Sequence, residues 1–396
     1  MHPLSEARRI DEFVAYWSRE TPEACACVLD DERISYSELQ ARIDRLAKAL
    51  IAHGVARGDR VATLATPSPA FLVCFLATVS IGAIWVGLNP RYRVEELKYV
   101  LDDSEPKVLL TRTRIGDRSF RGEIEALMRD VPSLQCVVAI DEGEEIADVV
   151  SLRAFESLGE AVSNAALAET RATTGGRDPC LIVYTSGSTG RPKGALLHHH
   201  GVARFSVHQN EIWPITPLIV LNYFPINHVG CIADISTPVL SDGGTLVFME
   251  QFDPAGALDL MQKERVTMWG SVSSTFQMQL ALPDFDSYDL SSVQVIIWSG
   301  AAAPETLVKQ LMELAPLCAT NYGMTETMVI TALKPVTDFD ALANSVGPAF
   351  PGVEIKLLQA DGRSAAGGRA RSLGTFGIQF IGYWRNPEAS AQSITP

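Results

Sequence analysis

The sequence predicts an α/β fold, a mostly parallel sheet covered by helices, and three observations carry that prediction. Over the first 110 residues, segments with apolar residues at helical spacing alternate with short apolar strand-like runs. The same rhythm resumes near residue 179 and continues to about 335. The most apolar stretch, 70–88, is interrupted by Gly82. A lipid-spanning helix has no use for that break, whereas an α/β core needs a helix to stop and a strand to start.

The elements follow in order. In RISYSELQARIDRLAKALIAHGV (33–55), Leu39, Ile43, Leu46, Ala47 and Leu50 share one helical face, and Gly54 fits the C-terminal stop. RVATLAT reads as a strand. AFLVCFLATVSIGAIWVGL reads as a buried helix ending near Gly82 and a short buried strand, AIWVGL. VEELKYVLDDSEP is a second amphipathic helix and KVLLT the next strand. Residues 141–178 are polar and acidic and read as a surface connection. From 345, SVGPAFPGVEIKLLQADGRSAAGGRA has short apolar runs cut by Gly and Pro, which predicts small strands and turns. The divisions expected are 1–170 and 171–340, both α/β, and 341–396, small and β-rich.

Composition narrows the function classes. The chain has 396 residues, 47% apolar and 20% charged, ordinary for a globular protein. At roughly 150 residues per domain this gives two or three domains or subdomains. Net charge is −14 and no basic block stands out, so nucleic acid is not an expected partner. The seven scattered cysteines are odd in number and point to reduced thiols and a cytoplasmic location. The N-terminus, MHPLSEARRIDEF, has no apolar run of a secretory signal, and no transmembrane segment is expected.

The most informative segment is CLIVYTSGSTGRPKGALLHHH, 180–200. A buried strand runs straight into Thr185, Ser186, Gly187, Ser188, Thr189 and Gly190, then Arg191, Pro192, Lys193 and Gly194. Glycines let backbone N–H groups converge on an anion, the hydroxyls add donors, and Lys193 adds a positive charge. Together they suit a polyphosphate. The loop is not Gly-Lys-Ser/Thr and not G-x-G-x-x-G. His198, His199 and His200 invite a metal reading, but neighbours on a helix point in different directions.

YTSGSTGRPKG resembles the phosphate-loop motif of the adenylate-forming (AMP-binding) superfamily, which includes acyl-CoA synthetases, peptide-synthetase adenylation domains and beetle luciferases. The resemblance covers nearly the whole chain, including residues 33–62, IGAIWVGLNPRYRVEELKYVLDDSEPKVLL and SVGPAFPGVEIKLL. It implies two mostly parallel sheets with helices packed around them, layered αβαβα, plus a small distorted β-barrel region. NYGMTE, 321–326, resembles the adenine and metal motif. By that resemblance Tyr322 stacks on adenine, Asn321 lies beside its amino group, Gly323 and Met324 complete the turn, Thr325 touches the α-phosphate and Glu326 holds Mg²⁺. SGAAAP, 299–304, matches the adenine wall and part of the acyl pocket and brings in Gly300, Ala301 and Ala302. Ala301 and Glu305 depart from the usual glycine and apolar residue there. FPINHVG, 224–230, resembles the motif that places a His, here His228, at the carboxylate end of the acyl tunnel.

The resemblance implies an ATP-dependent acyl- or aryl-CoA ligase, an acid–thiol ligase using ATP, Mg²⁺ and CoA. Its expected catalytic residues are Lys193, Thr325, Glu326 and His228. The expected partners are a fatty or aromatic carboxylate and CoA, and a homodimer is compatible with the class. Trp269, Gly270, Ser271, Val272, Cys231, Ile232, Ala302, Met324 and Val329 are the expected pocket lining, mostly apolar. Two other readings stay open. An amino-acid adenylation domain wants an acidic residue for the α-amino group, and Asp234 is the nearby candidate. A non-catalytic nucleotide- or acyl-binding remnant is the other. GYWRNPEAS, 382–390, matches a family segment, whereas GRARSLGTFGIQF, 368–380, lacks the usual Glu. The ribose-binding Asp and the mobile C-terminal domain with its catalytic Lys are not among these residues. The chain is therefore read as the large N-terminal domain of a longer enzyme, impaired or inactive in the full reaction.

Overall fold

A computed structural model describes residues 2–185, 191–358, 372–376 and 380–394. Its strands are β1 (Cys25–Leu29), β2 (Glu32–Ser35), β3 (Arg60–Leu64), β4 (Ile84–Leu88), β5 (Val108–Thr111), β6 (Arg114–Ile115), β7 (Arg118–Ser119), β8 (Cys136–Ala139), β9 (Val150–Ser151) and β10 (Pro179–Thr185). They continue with β11 (Lys193–His198), β12 (Ile219–Asn222), β13 (Thr245–Phe248), β14 (Met268–Ser271), β15 (Val295–Trp298), β16 (Leu317–Met324), β17 (Met328–Ala332), β18 (Glu354–Leu358), β19 (Ser372–Phe376) and β20 (Phe380–Tyr383). One eight-stranded sheet runs β17-β16-β15-β14-β12-β13-β1-β2 and the other β20-β11-β10-β4-β3-β5-β8-β9. Both are parallel inside and antiparallel only near their edges.

Each central strand is apolar on both faces because each sheet is covered on both faces. Along β15, Val295 and Ile297 face the core between the sheets, while Ile296 and Trp298 face an outer core. In the other sheet Leu181 and Val183 face the central core, and Ile182 and Tyr184 an outer one. Three apolar cores separated by two sheets give the αβαβα layering. The helix Pro69–Ser80 belongs to the central layer. Phe71 meets Trp85 of β4 and Phe248 of β13, strands of different sheets, each at 6.1 Å. A helix clamped on both sides is apolar all round, which accounts for its membrane-like composition. Its Ser68 cap accepts from the Phe71 N–H at 3.3 Å. Beyond its end, Gly82 has φ +76, and a Cβ there would meet Thr174 Oγ1 at 2.8 Å. Among the described residues no helix is long and apolar enough to cross a membrane.

One expectation needs correction. The supposed surface connection holds helices Leu152–Leu158 and Asn164–Ala172, which bury Phe155 and Leu167. Strands far apart in sequence share sheets, since β1 and β2 complete the sheet of β12–β17, and β20 pairs with β11. The small β-rich region appears as a two-stranded antiparallel pair, β18 with β19, and no closed barrel is present among the described residues. All seven cysteines are free thiols.

Candidate active site

In open parallel sheets, ligand sites form beyond the carboxyl ends of strands, at a point where the strand order reverses. The chain leaves β12 for β13 on one side and then returns to β14 on the other. Beyond these strands lie a cavity of about 600 Å³ and an inner annex of about 110 Å³. His228, Asp234, Ser299 and Gly300 line both.

The second sheet supplies one wall. In the β10–β11 hairpin Thr185 pairs with Lys193, and both residues line the larger cavity. The loop residues Ser186, Gly187, Ser188, Thr189 and Gly190, expected to cradle phosphates, lie outside the described residues. Gly194 lets the hairpin close, since a Cβ there would sit 2.6 Å from Ile182 Cγ2.

The opposite wall is the turn from β16 to β17. A bulge between Tyr322 and Gly323 breaks the pairing and re-aims the side chains that follow. Gly323, Met324, Thr325 and Glu326 line the cavity. Asn321 is buried beside the annex, and its Oδ1 accepts from Ser299 Oγ at 2.5 Å, which ties the two motifs together. Glu326 Oε1 accepts from the Tyr383 hydroxyl at 2.6 Å. Burial and the Glu326 carboxylate push that phenol up to about 12, so it stays a neutral donor. Lys193 Nζ stands 5.4 Å from the centre of the Tyr383 ring.

His228 Nδ1 accepts the Gly230 N–H at 3.0 Å. Its ring is exposed into a concavity, and the protein around it withholds solvent and lowers its pKa. A neutral ring with Nδ1 accepting carries its proton on Nε2. Asp234 lies on a π-helical turn, Gly230–Ser236; such turns are rare and often mark functional sites.

The sequence expectations divide accordingly. Thr185, Lys193, His228, Gly300, Gly323, Met324, Thr325 and Glu326 converge on the larger cavity, and Asn321 on the annex. Tyr322 is 42% exposed and stands outside both linings. Ala301 and Ala302 are exposed and outside them too. Of the expected acyl lining, Gly270, Ser271 and Val272 border the annex, and Met324 and Val329 the larger cavity. Trp269, Cys231 and Ile232 instead pack into apolar cores. The three histidines part company. His198 caps the helix His199–Ile212 by accepting from the Gly201 N–H at 3.0 Å, His199 is fully buried, and His200 stacks on His198. Ser299 and Tyr383 fall within SGAAAP and GYWRNPEAS, but the sequence assigns neither a role.

A family model described as AMP-binding enzyme matches residues 14–370. An indoleacetate–CoA ligase of Aromatoleum aromaticum is 32% identical over 372 residues, 93% of this chain and 70% of that protein. A feruloyl-CoA synthase of an Amycolatopsis species is 30% identical over 389 residues, 95% of this chain and 72% of that one. ATP-bound MatB of Rhodopseudomonas palustris superposes with a TM-score of 0.79 at 28% identity, covering 97% of this chain and 73% of that one. A long-chain-fatty-acid CoA ligase fold from the same organism gives 0.83 at 22% identity, covering 98% and 93%.

Proposed function

The chain belongs to the AMP-binding enzyme family, and from that premise we propose that it is the N-terminal domain of an acyl- or aryl-CoA ligase that activates a carboxylate with ATP and passes it to CoA. The observation that carries the reading is convergence. The ends of the phosphate-type hairpin, the Gly323–Glu326 turn and His228 border one cavity, and a small, largely apolar annex opens beside it. The CoA-ligase relatives favour this over amino-acid adenylation.

In the first step a carboxylate oxygen attacks the α-phosphorus of ATP. The bond to the β-phosphate oxygen breaks, and pyrophosphate leaves. The acyl group then passes to the CoA sulfur and AMP leaves. The attacking group is the substrate's own carboxylate, so no protein nucleophile is needed. The residues bind, orient and neutralise. Lys193 places positive charge beside the phosphates, where preorganised charge stabilises the transition state without reorganisation. The His228 Nε2–H donates to a carboxylate oxygen and holds it in line. Thr325 offers a hydroxyl to the α-phosphate, and Tyr322 offers a ring face to adenine from the exposed rim. Ser186–Gly190 complete the phosphate loop, with Gly300, Ala301 and Ala302 along the adenine side.

Glu326 fits a hard divalent cation, being a carboxylate in a phosphate-type cavity with Oε1 oriented by Tyr383. Mg²⁺ held there would neutralise phosphate charge. Residues 1–170, 171–340 and 341–396 are read as parts of one such unit.

The test is calorimetry with Lys193→Met. ATP affinity should fall about tenfold or more, the scale of a lost charge-assisted contact. Affinity for indole-3-acetate and ferulate should not change. Equal loss for nucleotide and acid would make Lys193 a structural residue and refute its assignment.

A further inference from the structure

We infer that the acid activated here is a small aryl carboxylic acid bearing an N–H or O–H group, and that Asp234 reads this donor. The inference rests on the reading of the annex as the acyl pocket.

Asp234 Oδ1 is buried and accepts no hydrogen bond. Among the described residues no cation pairs with it, and the ion pairs they form lie elsewhere. The main chain beneath it is held firmly. Gln209 Nε2 donates to the Asp234 carbonyl at 3.0 Å, Asn222 Nδ2 to the Cys231 carbonyl at 3.0 Å, and Ser236 Oγ to the same carbonyl at 2.7 Å. The side chain lines the junction of the cavity and its annex, beside His228 and Ser299.

Asp234 as a whole is half-buried, but its Oδ1 is shut off from water without a partner, and that is costly. A plain hydrocarbon acid would add to that cost by excluding water from the junction. A substrate carrying a donor offsets it by bonding the side of the carboxyl that faces the junction. Burial pushes this carboxyl up to about 7 with no opposing charge, so an incoming donor would draw it toward the ionised form. Size sets the rest of the substrate. The annex of about 110 Å³ is near the roughly 150 Å³ cavity known to take benzene, which suits a single ring.

The experiment uses non-hydrolysable acyl-adenylate mimics, sulfamoyladenosine conjugates of 2-, 3- and 4-aminobenzoate. Each is paired with the conjugate of the matching methylbenzoate, in which CH₃ replaces NH₂ at near-equal size. Calorimetry on the 396-residue chain should give one amino conjugate bound roughly 10- to 100-fold tighter than its methyl partner. In Asp234→Leu and in Asp234→Ala that ratio should collapse to about one or reverse, with AMP binding retained as the check on folding. If the leucine variant loses AMP binding, the alanine variant decides. No preference in any wild-type pair, or a preference that survives loss of the carboxyl, overturns the inference. Failure of AMP itself to bind the wild-type chain overturns the nucleotide reading beneath it, and the inference falls with it.

Discussion

Gly323→Ala is a sharp test of how the turn builds the site, because its outcome follows from distances. A Cβ at Gly323 would lie 1.9 Å from the Met328 carbonyl oxygen and 2.6 Å from its carbon. Real contacts of a Cβ essentially never fall below 3.0 Å. The obstructing atoms are main chain and cannot rotate away. The hairpin must therefore open by roughly 1 Å in a close-packed setting. Met328 already has φ 53 and so has little freedom to yield. Overpacking of this kind costs about 1–3 kcal/mol. The shift is transmitted to Thr325 and Glu326, which share the turn, and it strains the Tyr383 contact to Glu326. Expected results are a lower unfolding midpoint in denaturant and weaker AMP binding, both in the same variant. Gly122→Ala is the control. It sits in the helix Arg121–Asp130 with nothing within 4 Å of a new Cβ. It should stabilise by about 0.5–1 kcal/mol and leave AMP binding alone. An alanine at 323 with unchanged midpoint and unchanged affinity would refute the geometric argument.

Two further outcomes follow. Tyr322→Ala should weaken AMP binding by about 1–3 kcal/mol, the scale of a lost base–aromatic stack, and unchanged calorimetric affinity would remove Tyr322 from the adenine site. His199 is fully buried, and burial, with Arg9 nearby, holds its pKa down at about 3. Its folded pKa is below its unfolded value near 6.5, so its neutral form favours folding above pH 6.5, and that contribution is lost as pH falls toward 3. Each unit through this window should cost up to about 1.4 kcal/mol. His199→Gln should flatten that part of a stability-against-pH curve, and an unchanged slope would show that other groups carry it.

Local chemistry was legible in the sequence where it was dense. The helix-then-strand reading of 70–88 matches Pro69–Ser80 followed by β4, with Gly82 between them at φ +76. The helices Leu152–Leu158 and Asn164–Ala172 were missed because each buries a single apolar side chain and so has almost no periodicity. Their only strong mark is a serine cap, Ser151 accepting from the Ala154 N–H and Ser163 from the Ala166 N–H. Trp269 was misassigned for a different reason. Strand parity requires it to face away from Met268 and Gly270, but sequence does not say which face holds the ligand. In the structure the neighbours line the annex and Trp269 enters an outer core.

What sequence spacing cannot express is how two sheets make one site. The sheet of β12–β17 offers the carboxyl ends of its strands, and beyond these lie His228, the Ser299–Asn321 pair and the Glu326 turn. The other sheet offers an antiparallel hairpin at its edge, whose Lys193 reaches the same cavity. Between them Tyr383 of β20 bonds Glu326, 57 residues away in sequence, while Lys193 stands over its ring. β20 is itself held to β11 through Ala195 with Tyr383 and Leu196 with Gly382. The position of Tyr383 is thus fixed by the strand that begins with Lys193. A displacement of the hairpin would move the orienting hydroxyl along with the lysine, so the cationic and acidic halves of the site keep their spacing as a unit. That coupling gives the GYW segment a structural reason to sit late in the chain yet at the centre of the site.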